Sequence, residues 1–135
     1  MKILVTGGYG FIGSFLVKEL NKNNNNKILN IDKVTSTSIP LALSKIKNKR
    51  YKFLKIDICN YSKLKNAILS FKPNLVFHLA AESHVDTSIS NPKKFIDTNI
   101  IGTFNLLNIL KNLNEKNNYK NFKFIHISTD EVYGS

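Results

Sequence analysis

Five residues into the chain a β-branched run closes on Thr6-Gly7-Gly8-Tyr9-Gly10-Phe11-Ile12-Gly13, and this glycine spacing constrains the fold more than any other stretch. Lys2–Thr6 (KILVT) predicts a strand that ends at the glycines. Residues 11–20 then carry Phe11, Ile12, Phe15, Leu16 and Leu20 at helical spacing, which predicts a helix packed on its apolar side. Between the two, Gly7 permits a tight turn, Gly10 lets backbone approach a pyrophosphate, and Gly13 lets the helix lie close to the strand. The helix N-terminus offers free N–H groups and a partial positive charge to phosphates. A glycine pattern alone is weak, but this one has the required strand–turn–helix setting. An acidic residue, Asp32, also ends the next apolar run nineteen positions after Gly13. Its carboxylate can accept both ribose hydroxyls of NAD and would repel a 2′-phosphate, so these residues predict an NAD site.

The rest of the chain repeats the strand–helix alternation. An asparagine tract at 23–26 reads as an exposed turn, followed by a second strand at Lys27–Asp32. A Ser/Thr loop and a short amphipathic helix around 41–46 lead to a third strand at 51–56. A helix at Tyr61–Phe71 stops before Pro73, and the apolar run 75–79 is a buried fourth strand. Asn91-Pro92 opens a long helix to about residue 113, and residues 122–128 form a fifth strand. Alternation of this kind predicts a doubly wound parallel α/β sheet, a Rossmann domain spanning residues 1–135 without linker or repeat.

Composition bounds the function. A hydrophobic fraction of 42% with nine Phe residues predicts a globular domain. No apolar run reaches the roughly 18 residues that cross a bilayer, and MKILVTGG lacks a secretory apolar region. The single cysteine, Cys59, excludes an internal disulfide and suits a reducing, cytoplasmic setting, where it reads as a small buried apolar residue. The net charge of +11 comes from nineteen Lys and one Arg (Arg50) spread along the chain beside nineteen Asn. Lys and Asn share A-rich codons, so coding bias at solvated positions accounts for the charge. Nucleic-acid readout favours clustered arginine, whereas this chain has one arginine among scattered lysines, so no nucleic-acid partner is expected.

The spacing Gly-x-x-Gly-x-x-Gly resembles the extended short-chain dehydrogenase/reductase superfamily, whose further landmarks follow in order: Asp57-Ile58 after the third strand and His78-Leu79-Ala80-Ala81 after the fourth. Two stretches narrow the resemblance. HLAAESHVDTSI (78–89) and IHISTDEVYGS (125–135) are similar to the dTDP-glucose 4,6-dehydratases, over essentially all of this chain and the first part of theirs. The resemblance implies cofactor contacts from Gly7, Gly10, Phe11, Ile12 and Gly13, and from Asp32, Lys33, Val34 and Thr35. It also implies that Asp57 and Ile58 border the adenine. Leu79, Ala80 and Ala81 would lie against the cofactor, with Glu82 near the nicotinamide and Thr98 a further contact. Ser83 would touch both cofactor and substrate. It assigns Asp130 as acid, Glu131 as base and Thr129 as the hydrogen-bond partner of the sugar's C4 oxygen. No metal is implied. The substrate would be dTDP-glucose, with UDP-glucose or an NAD-binding chain without catalysis as alternatives, and the partner a second copy in a homodimer.

The chemistry gives a reason for the adjacent carboxyls. A 4,6-dehydratase oxidises C4 of the sugar, and the resulting ketone acidifies the C5 proton. A base must remove that proton while an acid protonates the leaving 6-hydroxyl. Two neighbouring carboxyls can divide these tasks, because a like charge raises one pKa and keeps it protonated. The superfamily also carries a Tyr-x-x-x-Lys pair on the helix after its fifth strand. Tyr61 and Lys65 have that spacing on the wrong helix, so the 135 residues alone are expected to lack turnover and to leave apolar sheet surface uncovered. Residues 36–40 depart from the family's Tyr-Ala-Gly-Asn loop, Thr87 stands where arginine is usual, and Tyr9 is bulkier than usual. His78 and His126 read as satisfied core histidines and His84 as a site-loop residue.

Overall fold

Five of the apolar runs become strands: β1 (Lys2–Thr6), β2 (Lys27–Asp32), β3 (Tyr51–Lys55), β4 (Leu75–His78) and β5 (Lys123–His126). All pair in parallel, in the order β3-β2-β1-β4-β5, the doubly wound arrangement expected from the sequence. The computed structural model describes residues 1–117 and 122–133, and of residues 85, 87, 116, 117, 130 and 131 the backbone alone. β1 pairs from Lys2↔Lys27 to Thr6↔Ile31 on one side and from Ile3↔Leu75 to Thr6↔His78 on the other. The chain therefore leaves β1 and β4 at the same level and in opposite directions, which opens a crevice at the switch point.

Period-two alternation splits β1 between two cores. Ile3 and Val5 pack with Val17, Ile28 and Leu43 beneath helix α1 (Phe11–Lys22). Leu4 faces the other layer, joining Leu29, Ile31, Leu64, Ile68, Leu106 and Leu110 from β2, α2 (Tyr61–Phe71) and the last helix. Helix α2 starts where Asn60 accepts the Lys63 N–H and stops at Lys72, whose left-handed backbone precedes Pro73.

Several expectations need correction. The helix predicted from Asn91-Pro92 is three pieces: α4 (Pro92–Phe95), a π-helical segment Ile96–Gly102, and α5 (Thr103–Asn117). An additional short helix, α3 (Val85–Ser90), occupies what reads as loop, and the predicted helix at 41–46 is a 3-10 turn at Pro40–Leu43. In α1 the inward face is Gly13, Ser14 and Val17, whereas Phe11, Ile12 and Phe15 are exposed. At its first turn the helix lies too close to the glycine turn for a large side chain, so Gly13 and Ser14 face inward there, and Val17 and Leu20 reach the core one turn later. His126 is exposed because β5 is an edge strand, unlike the fully buried His78. Asn26, at the end of the asparagine tract, is buried and donates to the Leu20 carbonyl. Cys59 is half-buried, its thiol donating to the Asp97 carbonyl at 3.1 Å and pushed up to about 11, mainly by burial. Arg50 binds the carbonyls of Asn23 and Asn26 and the Asn24 side chain, so the single arginine braces this turn.

Candidate cofactor site

At the end of β1 the backbone of Gly7 turns left-handed (φ 77°) and its N–H donates to the Ile31 carbonyl at 2.9 Å. A Cβ on Gly7 would stand 2.6 Å from the Ala80 nitrogen and 2.8 Å from the Leu79 carbonyl carbon. Glycine is thus required twice, by φ and by the neighbouring chain. A Cβ on Gly13 would run into the Gly7 carbonyl oxygen, so the first turn of α1 presses directly on the glycine turn. Gly10 caps α1 without a side-chain oxygen, which leaves the first-turn N–H groups free to face a ligand.

Asp32 closes the opposite wall. Its Oδ2 accepts the Tyr9 N–H at 3.0 Å and its Oδ1 the Val34 N–H at 2.7 Å. One carboxylate thereby joins the glycine turn to the loop after β2. Val34 has φ 58°, a costly conformation for a β-branched residue, and the bond to Asp32 helps hold it there. Ile31, Ile56 and Ile58 supply an apolar wall, and Ala80, Ala81, Glu82 and Ser83 line the side beyond β4.

Between these walls runs a chain of charges. Lys33 Nζ reaches Glu82 at 2.6 Å and donates to the Thr98 hydroxyl at 3.2 Å, and Lys94 reaches the other Glu82 oxygen at 3.1 Å. Burial pushes the Glu82 carboxyl up, but hydrogen bonds and charge from the two lysines outweigh it and hold the group below the usual range. Behind the cleft, His78 bridges the hydroxyls of Thr6 (2.6 Å) and Thr103 (2.8 Å). Burial, with His126 beside it, lowers its pKa to about 4, so it is a neutral structural link, as the sequence implies.

The donor set suits an adenine dinucleotide. A cradle that a Cβ would fill meets a helix N-terminus, a carboxylate and an apolar slot, all at the carboxyl ends of the strands. Of the residues predicted, Gly7, Gly10, Asp32, Lys33, Thr35, Ile58, Leu79, Ala80, Ala81, Glu82, Ser83 and Thr98 line one cleft. Phe11 and Ile12 are exposed and do not line it. Asp57 turns its carboxylate onto the Cys59 N–H at 2.8 Å. Thr129 is exposed beyond β5, and Asp130 and Glu131 lie in a 3-10 turn, Asp130–Tyr133, with side chains outside the described residues. Tyr61 and Lys65 form a ring–ammonium contact on α2, away from the cleft. Sequence reasoning missed Ser38, a lining residue that also reaches Asp32, and Asn99, which grips the Glu82 backbone. An Asn in a helical stretch carries no signal of its own.

Comparison with known proteins agrees with this arrangement. The dTDP-glucose 4,6-dehydratase of Haemophilus influenzae is 48% identical over 99% of this chain, and the chain spans 41% of that relative. The crystal structure of dTDP-glucose 4,6-dehydratase from Bacillus anthracis in complex with NAD superposes with a TM-score of 0.78 at 38% identity, over 100% of this chain and 39% of that one. DesIV (dTDP-glucose 4,6-dehydratase) from Streptomyces venezuelae, with NAD and TYD bound, gives 0.81 at 33% identity, over 100% and 41%. The chain thus spans about two-fifths of the length of the relatives it matches. The family model described as GDP-mannose 4,6 dehydratase matches residues 4–135, and the chain belongs to that family.

Proposed function

We propose that this chain forms the NAD-binding half of a cytoplasmic dTDP-glucose 4,6-dehydratase, a nucleotide-sugar lyase acting as a homodimer. The observation that carries the reading is the Gly7–Ala80 junction with Asp32 beside it, in a chain 48% identical to such an enzyme. Bound NAD supplies reversible uptake of a hydride. The residues of this chain hold that cofactor and carry the elimination step. First-turn N–H groups of α1 and the Gly10 backbone hold the pyrophosphate, while Asp32 accepts from the adenosine ribose and excludes a 2′-phosphate. Ile56 and Ile58 flank the adenine, and the Leu79–Ser83 stretch shields the reacting end from water.

Thr129 hydrogen-bonds the sugar's C4 oxygen. Glu131 takes the C5 proton from the 4-keto sugar, and Asp130 delivers a proton to the departing 6-hydroxyl, so that water leaves and a C5–C6 double bond forms. The turn Asp130–Tyr133 follows the carboxyl end of β5, at the same end of the parallel strands as Gly7 and Ala80, which supports these roles. The dTDP base is favoured over UDP because relatives at 45–48% identity are dTDP-glucose enzymes.

The test is a chimera in which these 135 residues replace the matching part of the Haemophilus influenzae enzyme. The reading predicts 4-keto-6-deoxy product from dTDP-glucose, and more slowly or not at all from UDP-glucose. A folded, NAD-loaded chimera that dehydrates neither sugar would refute it.

A further inference from the structure

Tyr9 is tied through three of its groups to three elements around the adenosine end of the cleft. Its N–H donates to Asp32 Oδ2, at the end of β2, at 3.0 Å. Its carbonyl accepts the Ile39 N–H at 2.7 Å, from the loop after β2. Its ring lies against Phe53 of β3, with centroids 4.4 Å apart. Beneath the turn, Gly8 rests on Asn30 of β2, where an added Cβ would run into the carboxamide, and Asn30 Nδ2 donates to the Tyr51 hydroxyl of β3 at 3.1 Å.

These ties close a ring around one carboxylate. Asp32 Oδ1 accepts the Val34 N–H and, at 3.5 Å, the Ser38 hydroxyl, which itself accepts the Thr35 N–H at 2.9 Å. The next residue, Ile39, returns to Tyr9. Among the described residues Oδ2 accepts the Tyr9 N–H alone, so it keeps a lone pair for a ribose hydroxyl. Two departures from the family pattern, the bulky Tyr9 and the loop 36–40, thus meet across one hydrogen bond.

We infer that Tyr9 is a positioning residue for dinucleotide selectivity: its ring, anchored on Phe53, holds Asp32 and the loop at 35–39 in the arrangement that accepts an unsubstituted adenosine ribose. This rests on the proposed NAD reading. The N–H of residue 9 survives any substitution but proline, so the ring acts by fixing where that N–H points. Nothing else in the turn can do so, because Gly7, Gly8 and Gly10 have no side chains and leave the backbone free to move.

The experiment titrates NAD and NADP separately into the 135-residue chain and into Tyr9→Ala, Tyr9→Leu and Tyr9→Phe, with circular dichroism and thermal melting run in parallel. Tyr9→Ala should weaken NAD by roughly tenfold, the scale of one aromatic contact, and NADP by much less. A preference for NAD of roughly tenfold or more in wild type then narrows to about threefold or less. Tyr9→Phe keeps the ring and should stay within about threefold of wild type in both affinity and preference. Tyr9→Leu fills the space without a flat ring and should narrow the preference as Tyr9→Ala does. Equal weakening of NAD and NADP in Tyr9→Ala, or weakening of neither, overturns the inference. If Tyr9→Ala does not fold, a wild-type preference in Tyr9→Leu overturns it. So does failure of both to fold, since Tyr9 would then be a structural residue of the domain. Wild type that binds no NAD refutes the NAD reading and the inference with it. Tight NAD binding with an unmoved preference overturns the inference alone.

Discussion

Gly7 and Ala80 meet where two crossover directions diverge: a Cβ on Gly7 would lie 2.6 Å from the Ala80 nitrogen. Because Gly7 also has φ 77°, any replacement must distort the turn or push the β4 loop away. Gly7→Ala is expected to destabilise by at least about 2 kcal/mol, with roughly 1–2 of it from the left-handed backbone. Urea unfolding measures this, and an unchanged midpoint would show that the two loops are not in contact.

The buried histidine makes stability depend on pH. Burial, and then the neighbouring His126, lowers the His78 pKa to about 4, against 6.5 for the free side chain. As pH falls below 6.5 the unfolded chain takes a proton that the folded chain refuses, so stability is lost between about 6.5 and 4 and is fully present above that window. With His78 only 1% exposed, the loss is on the order of 3 kcal/mol across the window. Unfolding titrations of wild type and His78→Gln at several pH values read it. The variant should be less stable at neutral pH and flatter across the window, and parallel slopes would contradict this account.

Much of this was legible in the sequence because local signals and tertiary demands agree. β1, β2 and α2 occupy the residues that the apolar runs and the stop before Pro73 predict. Gly7, Gly13 and Asp32 announce a cradle because their spacing has few other uses. The failures share a cause, which is dependence on distant partners. The inner face of α1 is set by how closely Gly13 approaches Gly7, not by where the largest apolar residues fall. The π-helical turn and the grip of Asn99 on Glu82 join residues seventeen positions apart, beyond any local pattern. Lys33, foreseen as a cofactor contact, also pairs with Glu82 forty-nine residues away.

For the acid–base pair, the chimera with Glu131→Gln separates elimination from oxidation. C5–hydrogen exchange with solvent deuterium is expected to fall by about 10²–10⁴-fold, because removal of a general base costs that much. Reduction of the bound NAD by dTDP-glucose should persist. Exchange at the rate of the parent chimera would remove Glu131 from the base role.

The central claim, that the switch-point cleft holds NAD and that Asp32 selects it, is tested most directly by calorimetric titration of NAD and NADP into the 135-residue chain and its Asp32→Ala variant. The account predicts one NAD per chain, with NADP weaker by roughly tenfold or more. Asp32→Ala should lose about ten- to a hundredfold in NAD affinity, equivalent to a charge-assisted hydrogen bond, and most of its preference over NADP. Equal affinity for the two dinucleotides in wild type, or an Asp32→Ala variant that binds NAD as tightly as wild type, would contradict it.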